Sequence, residues 1–71
     1  MITYHIRPEL HLHRHLGLYI AFGIRATCRG RLMFYVPDVF LKRHKAAAFA
    51  TLCNREQPEW IHFRDILEDV I

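Results

Sequence analysis

The sequence predicts an α+β domain, a three-stranded antiparallel meander followed by two helices packed on one face (β-β-β-α-α), and three features carry the prediction. Residues Leu18 to Cys28 alternate, with Leu18, Ile20, Phe22, Ile24 and Ala26 on one side, the period of a half-buried strand in the middle of a sheet. A segment with the same alternation flanks it on each side. Two stretches with helical spacing follow, and they can cover the apolar face.

From Met1 to Leu12 the even positions Ile2, Tyr4, Ile6, Leu10 and Leu12 are apolar, while His5, Arg7, Glu9, His11 and His13 are polar. Pro8 lies inside this stretch. Proline has no N–H to give a ladder, so the first strand belongs on an edge or breaks at Arg7 to Glu9. Arg14 to Gly17 supplies the first turn and Arg29-Gly30 the second, after which Arg31 to Val36 returns with Leu32, Phe34 and Val36 inward. Pro37-Asp38 ends the sheet, and Asp38 is expected to cap a helix running to about Cys53, with Asn54 at its C-terminal turn. The expected stripe of that helix is Leu41, Ala48, Phe49 and Leu52, with the stem of Lys45 along the rim. A second helix within Glu59 to Val70 follows Pro58, its stripe Phe63, Ile66, Leu67 and Val70, with Trp60 and Ile61 closing the gap between the helices. The expected core centres on Ile20, Phe22, Ile24, Phe34, Phe49, Leu52, Ile66 and Leu67.

Seventy-one residues make a single domain, 1–71, near the lower limit at which one core holds a fold without disulfides or metal. Self-association would help such a chain. The 52% apolar and 24% charged content is that of a globular protein. Cys28 and Cys53 are too few for a disulfide framework, which points to free thiols in a reducing cytoplasm. The chain shows no basic-then-apolar leader and no apolar run long enough for a bilayer, so a cytoplasmic location without a membrane partner is expected. Charge is divided unevenly. Residues 1–55 set nine Lys/Arg against Glu9 and Asp38, whereas residues 56–71 set five acids against Arg64. Glu68 and Asp69 fall in the last helical turn, where the helix dipole disfavours acids, so a basic group nearby would offset them.

His11, His13 and His15 recur at period 2, with His5 further along, so their imidazoles share a strand face and are the candidate metal ligands. Ligands two residues apart on a strand stand almost 7 Å from each other, awkward for one ion, and a polar strand edge explains the row more simply. The outward face of the sheet is expected to carry Tyr19, Ala21, Gly23, Met33 and Tyr35, unusually apolar for solvent. Protein contact, including contact with a second copy, is the favoured explanation of Tyr19, Met33 and Tyr35. The alternative is a platform for single-stranded nucleic acid, with Arg25 and Arg31 near phosphates. Asp65 and Asp69 share a helical face, but no nucleophile stands beside a base, and neither catalysis nor a cofactor is expected.

Phe22-Gly23-Ile24, Asp38-Val39, Leu52-Cys53-Asn54 and the C-terminal run His62-x-Arg64-Asp65-Ile66-Leu67-Glu68-Asp69-Val70 together resemble an uncharacterised family of small proteins from anaerobic Gram-positive bacteria. That family is a domain of unknown function, and the resemblance covers roughly residues 18–71. Phe22 stands where the family has Tyr, and Phe40 where it has a small hydroxyl residue. The resemblance implies a bacterial cytoplasmic origin and brings no activity, cofactor or partner.

Overall fold

The computed structural model describes residues 1–70; Ile71, and the Val70 side chain expected on the second helix's stripe, lie outside the described residues. Strands β1 (Thr3–His13), β2 (Gly17–Cys28) and β3 (Arg31–Phe40) form one antiparallel sheet in the order β1-β2-β3. Helices α1 (Arg43–Glu56) and α2 (Trp60–Val70) follow, so the expected α+β meander and its two helices are what the chain adopts. Pro8 does not break β1. It pairs with Phe22 inside an unshifted register from Thr3↔Thr27 to His13↔Gly17.

The turns follow from their residues. His13 Nδ1 accepts from the N–H groups of His15 (3.1 Å) and Leu16 (3.2 Å), closing a three-residue loop that Gly17 leaves at φ 78°. Arg29 (φ 52°) and Gly30 (φ 78°) form a two-residue connection with both central residues left-handed, the geometry that matches strand twist.

The inward parity of β2 holds at its centre. Tyr4, Phe22, Ile24, Ala26 and Phe40 of the sheet bury against Ala46, Phe49, Ala50 and Cys53 of α1 and Phe63 of α2. Phe63 is the hub. Its ring stacks on Tyr4 (5.7 Å between centroids) and meets Phe34 (5.2 Å) and Phe49 (5.6 Å) edge-on. Ile66 and Leu67 are partly buried against this cluster, as is Phe34. Trp60 closes over Phe34 at 4.7 Å, whereas Ile61, expected beside it, points into solvent.

Further expectations need correction. Ile20, placed at the core, is 55% exposed, because no helix reaches that part of the sheet. Leu32, placed inward, lies on the opposite face: Ala26 pairs with Phe34 but Thr27 with Leu32, and the bulge at Met33 reverses the parity beyond it. Asp38 caps no helix. It sits in β3 at φ 54°, within an irregularity between the Phe22 and Ile24 pairings, and α1 starts later, after Lys42, with no side-chain cap. The buried stripe of α1 is Ala46, Phe49, Ala50 and Cys53, one residue away from the expected stripe, since two alanines and the small Cys53 let the backbone approach the sheet. Leu41 and Ala48 are therefore exposed and Leu52 only half-buried.

Asn54 is not the helix terminus; Gln57 takes the left-handed position (φ 49°), leaving the side chains of Asn54 and Gln57 free to clamp β1. Tyr4 N–H donates to Asn54 Oδ1 (2.7 Å) and Asn54 Nδ2 donates to Tyr4 O (3.0 Å). Ile2 N–H donates to Gln57 Oε1 (2.8 Å) and Gln57 Nε2 to Ile2 O (2.7 Å). The two amides thus act as a short fourth strand on the edge of β1. They also fix the direction of its backbone: even residues point away from β2, so the N–H that Pro8 lacks would have pointed off the sheet.

Candidate functional site

The outer face of the sheet is more closed than its composition suggests. Gly23 and Ala21 are buried there, and at Gly23 side chains from both neighbouring strands fold over the backbone. A methyl at Gly23 would lie 2.5 Å from the Tyr35 hydroxyl and 2.8 Å from Glu9 Oε2. Only glycine lets β1 and β3 meet across β2 at this point. Glu9 Oε1 accepts from the Asp38 N–H (2.9 Å) and lies 2.9 Å from His11 Nε2, whose ring stacks on Tyr19 at 5.3 Å. The Tyr35 hydroxyl is buried without a hydrogen-bond partner among the described residues.

The candidate residues on this face separate into three places. Arg25 and Tyr35 share a shallow depression with Arg7 and Leu32. Tyr19 lies further along β2 with His11. Met33 has left the face at its bulge and lines a cleft with Ile2, Tyr4, Phe34, Pro58 and Trp60, and Arg31 is exposed at the β2–β3 turn. The histidine row is likewise divided: His11 is engaged with Glu9, His13 with the turn, and His15 faces the ring of His13 at 5.9 Å. Among the described residues no three His, Cys, Asp or Glu side chains converge on a point that could hold a metal ion.

What the sequence reading missed is the end of the β1–β2 hairpin. A strand advances about 3.4 Å per residue and a helix about 1.5 Å, so the 12 residues of β2 span about 37 Å and the 14 of α1 only about 20 Å. The helices cover one half of the long strands. From Leu10 to Ile20 the hairpin projects as a two-stranded arm, β3 having ended opposite Phe22 at Phe40. Its helix-side face is formed by the cross-strand pairs Leu10↔Ile20 and Leu12↔Leu18, with Leu16 in the turn. All five are exposed, Leu12 by 79% and Leu16 by 71%. Where the arm meets the body, Phe40, Lys45, Ala48, Phe49 and Leu52 line a cleft of about 410 Å³ beside α1. The arm is an apolar shelf and the cleft lies at its root.

Two titratable groups in the core are perturbed. Burial pushes the Cys53 thiol up to about 11. Burial, with the nearby Cys53 adding to it, also raises the Tyr4 hydroxyl. Both are therefore neutral packing groups at neutral pH.

Among the described residues no helix is long and apolar enough to cross a membrane. Comparison of the chain with protein-family models, with curated proteins and with solved structures gave no match.

Proposed function

We propose that the chain is a small protein-interaction module that associates with a second copy of itself, and that the apolar face of the β1–β2 arm is its contact surface. The observation that carries this is the uncovered row Leu10, Leu12, Leu16, Leu18 and Ile20 on the face that elsewhere packs against helices. Contiguous apolar surface of this kind is uncommon on a monomer and marks contact sites.

The energetics are adequate. Fully burying a leucine or isoleucine contributes about 1.5–3 kcal/mol, so five side chains from each of two subunits, at roughly two-thirds exposure, give about 10–20 kcal/mol. Loss of rigid-body freedom costs about 4–15 kcal/mol. The midpoints leave about 5–6 kcal/mol, a weak dimer with a dissociation constant of about 0.1 mM.

A strand-edge contact is less well supported on the body, where each edge strand carries a proline whose missing N–H faces outward: Pro8 in β1, and Pro37 in β3 one residue beyond the Ile24↔Val36 pair; on the arm the β2 edge from Gly17 to Ala21 is open. The nucleic-acid reading also loses ground. A stacking platform needs free ring faces, whereas Tyr19 is stacked on His11 and Tyr35 is folded over Gly23.

Light scattering from about 10 µM to 1 mM, a range chosen to bracket a constant of about 0.1 mM, tests the proposal. Wild type should pass from monomer to dimer, and Leu18→Asp should stay monomeric with an unchanged circular dichroism spectrum. Wild type monomeric throughout, or Leu18→Asp dimerising as well as wild type, would remove the arm from the account.

A further inference from the structure

Resting on that reading, we infer that the two arms pack face to face and antiparallel about a two-fold axis, so that Leu16 of each arm seats in the partner's cleft lined by Phe40, Ala48 and Leu52.

The spacing of the exposed residues selects this arrangement. Along β2 the inward positions Phe22, Ile20 and Leu18 follow one another at about 7 Å, and the turn brings Leu16 one step further out. A two-fold axis that crosses the arm between the Leu10↔Ile20 and Leu12↔Leu18 pairs sets Leu18 on the partner's Ile20, and Leu12 on the partner's Leu10. By the same step it carries Leu16 to the level of the partner's Phe22. Phe40 pairs with Phe22, and its ring contacts Phe49 at 5.5 Å, so the Phe40 end of the cleft beside α1 opens at that level, with Leu52 deeper toward Asn54. The cleft is apolar apart from the Lys45 stem, and Leu16 is the side chain at the arm's end that lacks cover.

Each arm then takes, over the distal half of its partner's sheet, the layer that α1 and α2 take over the proximal half. A parallel arrangement does less well. It sets the two Leu16 residues against each other at the tip and leaves both clefts empty. An isologous contact also closes on itself, and the antiparallel version uses each exposed apolar residue of the arm once per subunit.

Cysteine cross-linking in a Cys28→Ser background tests the geometry, with buried Cys53 retained. Leu16→Cys and Ala48→Cys, both at exposed positions, are prepared separately, mixed and oxidised. A disulfide-linked heterodimer should form on mixing, and neither variant should cross-link by itself. In parallel, Leu16→Ala should weaken the dimer about ten- to a hundredfold, the loss expected for removing two buried side-chain ends per dimer. No mixed cross-link, from variants that still dimerise by light scattering, overturns the antiparallel seating and leaves the arm contact standing. A Leu16→Cys homodimer disulfide overturns it in favour of parallel arms. A chain that is monomeric before oxidation removes both this inference and the contact on which it rests.

Discussion

Replacing Asn54 with alanine tests whether the helix holds the sheet's edge through side-chain amides. The side chain makes two bonds to one residue, accepting from Tyr4 N–H at 2.7 Å and donating to Tyr4 O at 3.0 Å. Tyr4 is buried, so water replaces these partners poorly. At about 1–1.5 kcal/mol for each bond lost, Asn54→Ala should cost about 2–3 kcal/mol. For a domain of this size each kcal/mol shifts the melting temperature by about 4–8 °C, so a fall of about 10–20 °C is expected. Asn54→Asp should be worse than its shape suggests, since it keeps the acceptor for Tyr4 N–H but turns an anionic oxygen toward Tyr4 O. The assays are thermal denaturation and amide hydrogen exchange. Exchange at Tyr4 should accelerate far more than at Ile24, which lies in the middle strand. An Asn54→Ala protein that melts within about 2 °C of wild type and keeps Tyr4 protected would refute the reasoning, because it would mean that packing alone secures the edge.

Two further outcomes follow from the core and the outer face. Gly23→Ala should destabilise by about 1–3 kcal/mol, the range for overpacking, and Gly23→Ala combined with Tyr35→Ala should recover most of it; additive losses in the double mutant would show that the ring over Gly23 is not what excludes a side chain. The Cys53 thiol, raised from 9.0 to about 11, contributes stability that is complete below its unfolded value and lost as pH rises through its folded one. Urea midpoints should therefore fall between about pH 9 and 11 by an amount equivalent to at most about 3 kcal/mol, and fall less in Cys53→Ser; equal slopes in the two proteins would refute the assignment.

Much of this fold was legible because alternation is a local property. Phe22, Ile24 and Phe34 face the helices as their parity requires, and the two glycine turns sit where glycine alone made them inexpensive. Pro8 announced an edge strand correctly, since its effect depends only on which way one N–H points. What period could not carry is any event that changes the count. The Met33 bulge inserts one residue and moves Leu32 across the sheet, and the irregularity around Asp38 delays the helix by several residues. The stripe of α1 went astray for a different reason. Among Ala46, Ala47, Ala48 and Ala50 the sequence gives little contrast, and close packing, not hydrophobicity, decides which alanines go inward. The arm was missed although its signal was present. Counting residues per element and multiplying by rise shows that α1 covers only half of β2, a comparison of lengths that periodicity never makes.

The two faces of the arm explain why it can be left bare. A two-stranded ribbon with open edges invites pairing by any strand, and a chain that exposes five large apolar side chains on such a ribbon should be prone to open-ended assembly. Three features oppose that outcome. Pro8 interrupts the outer edge of β1 just where the ribbon leaves the body, and Arg14 with the histidines places the arm's polar groups at its tip and outer face. On that outer face Glu9 ties β1 to the backbone of β3 through Asp38, which holds the root of the arm to the third strand and limits its freedom to twist into another register. With Pro8 at the root of the β1 edge and polar side chains on the outer face, the apolar side is the surface that the proposed association uses, and a single apolar side permits one closed contact per molecule. On the proposed reading such an arm makes dimers and stops there, and its length sets which residues of the partner it reaches.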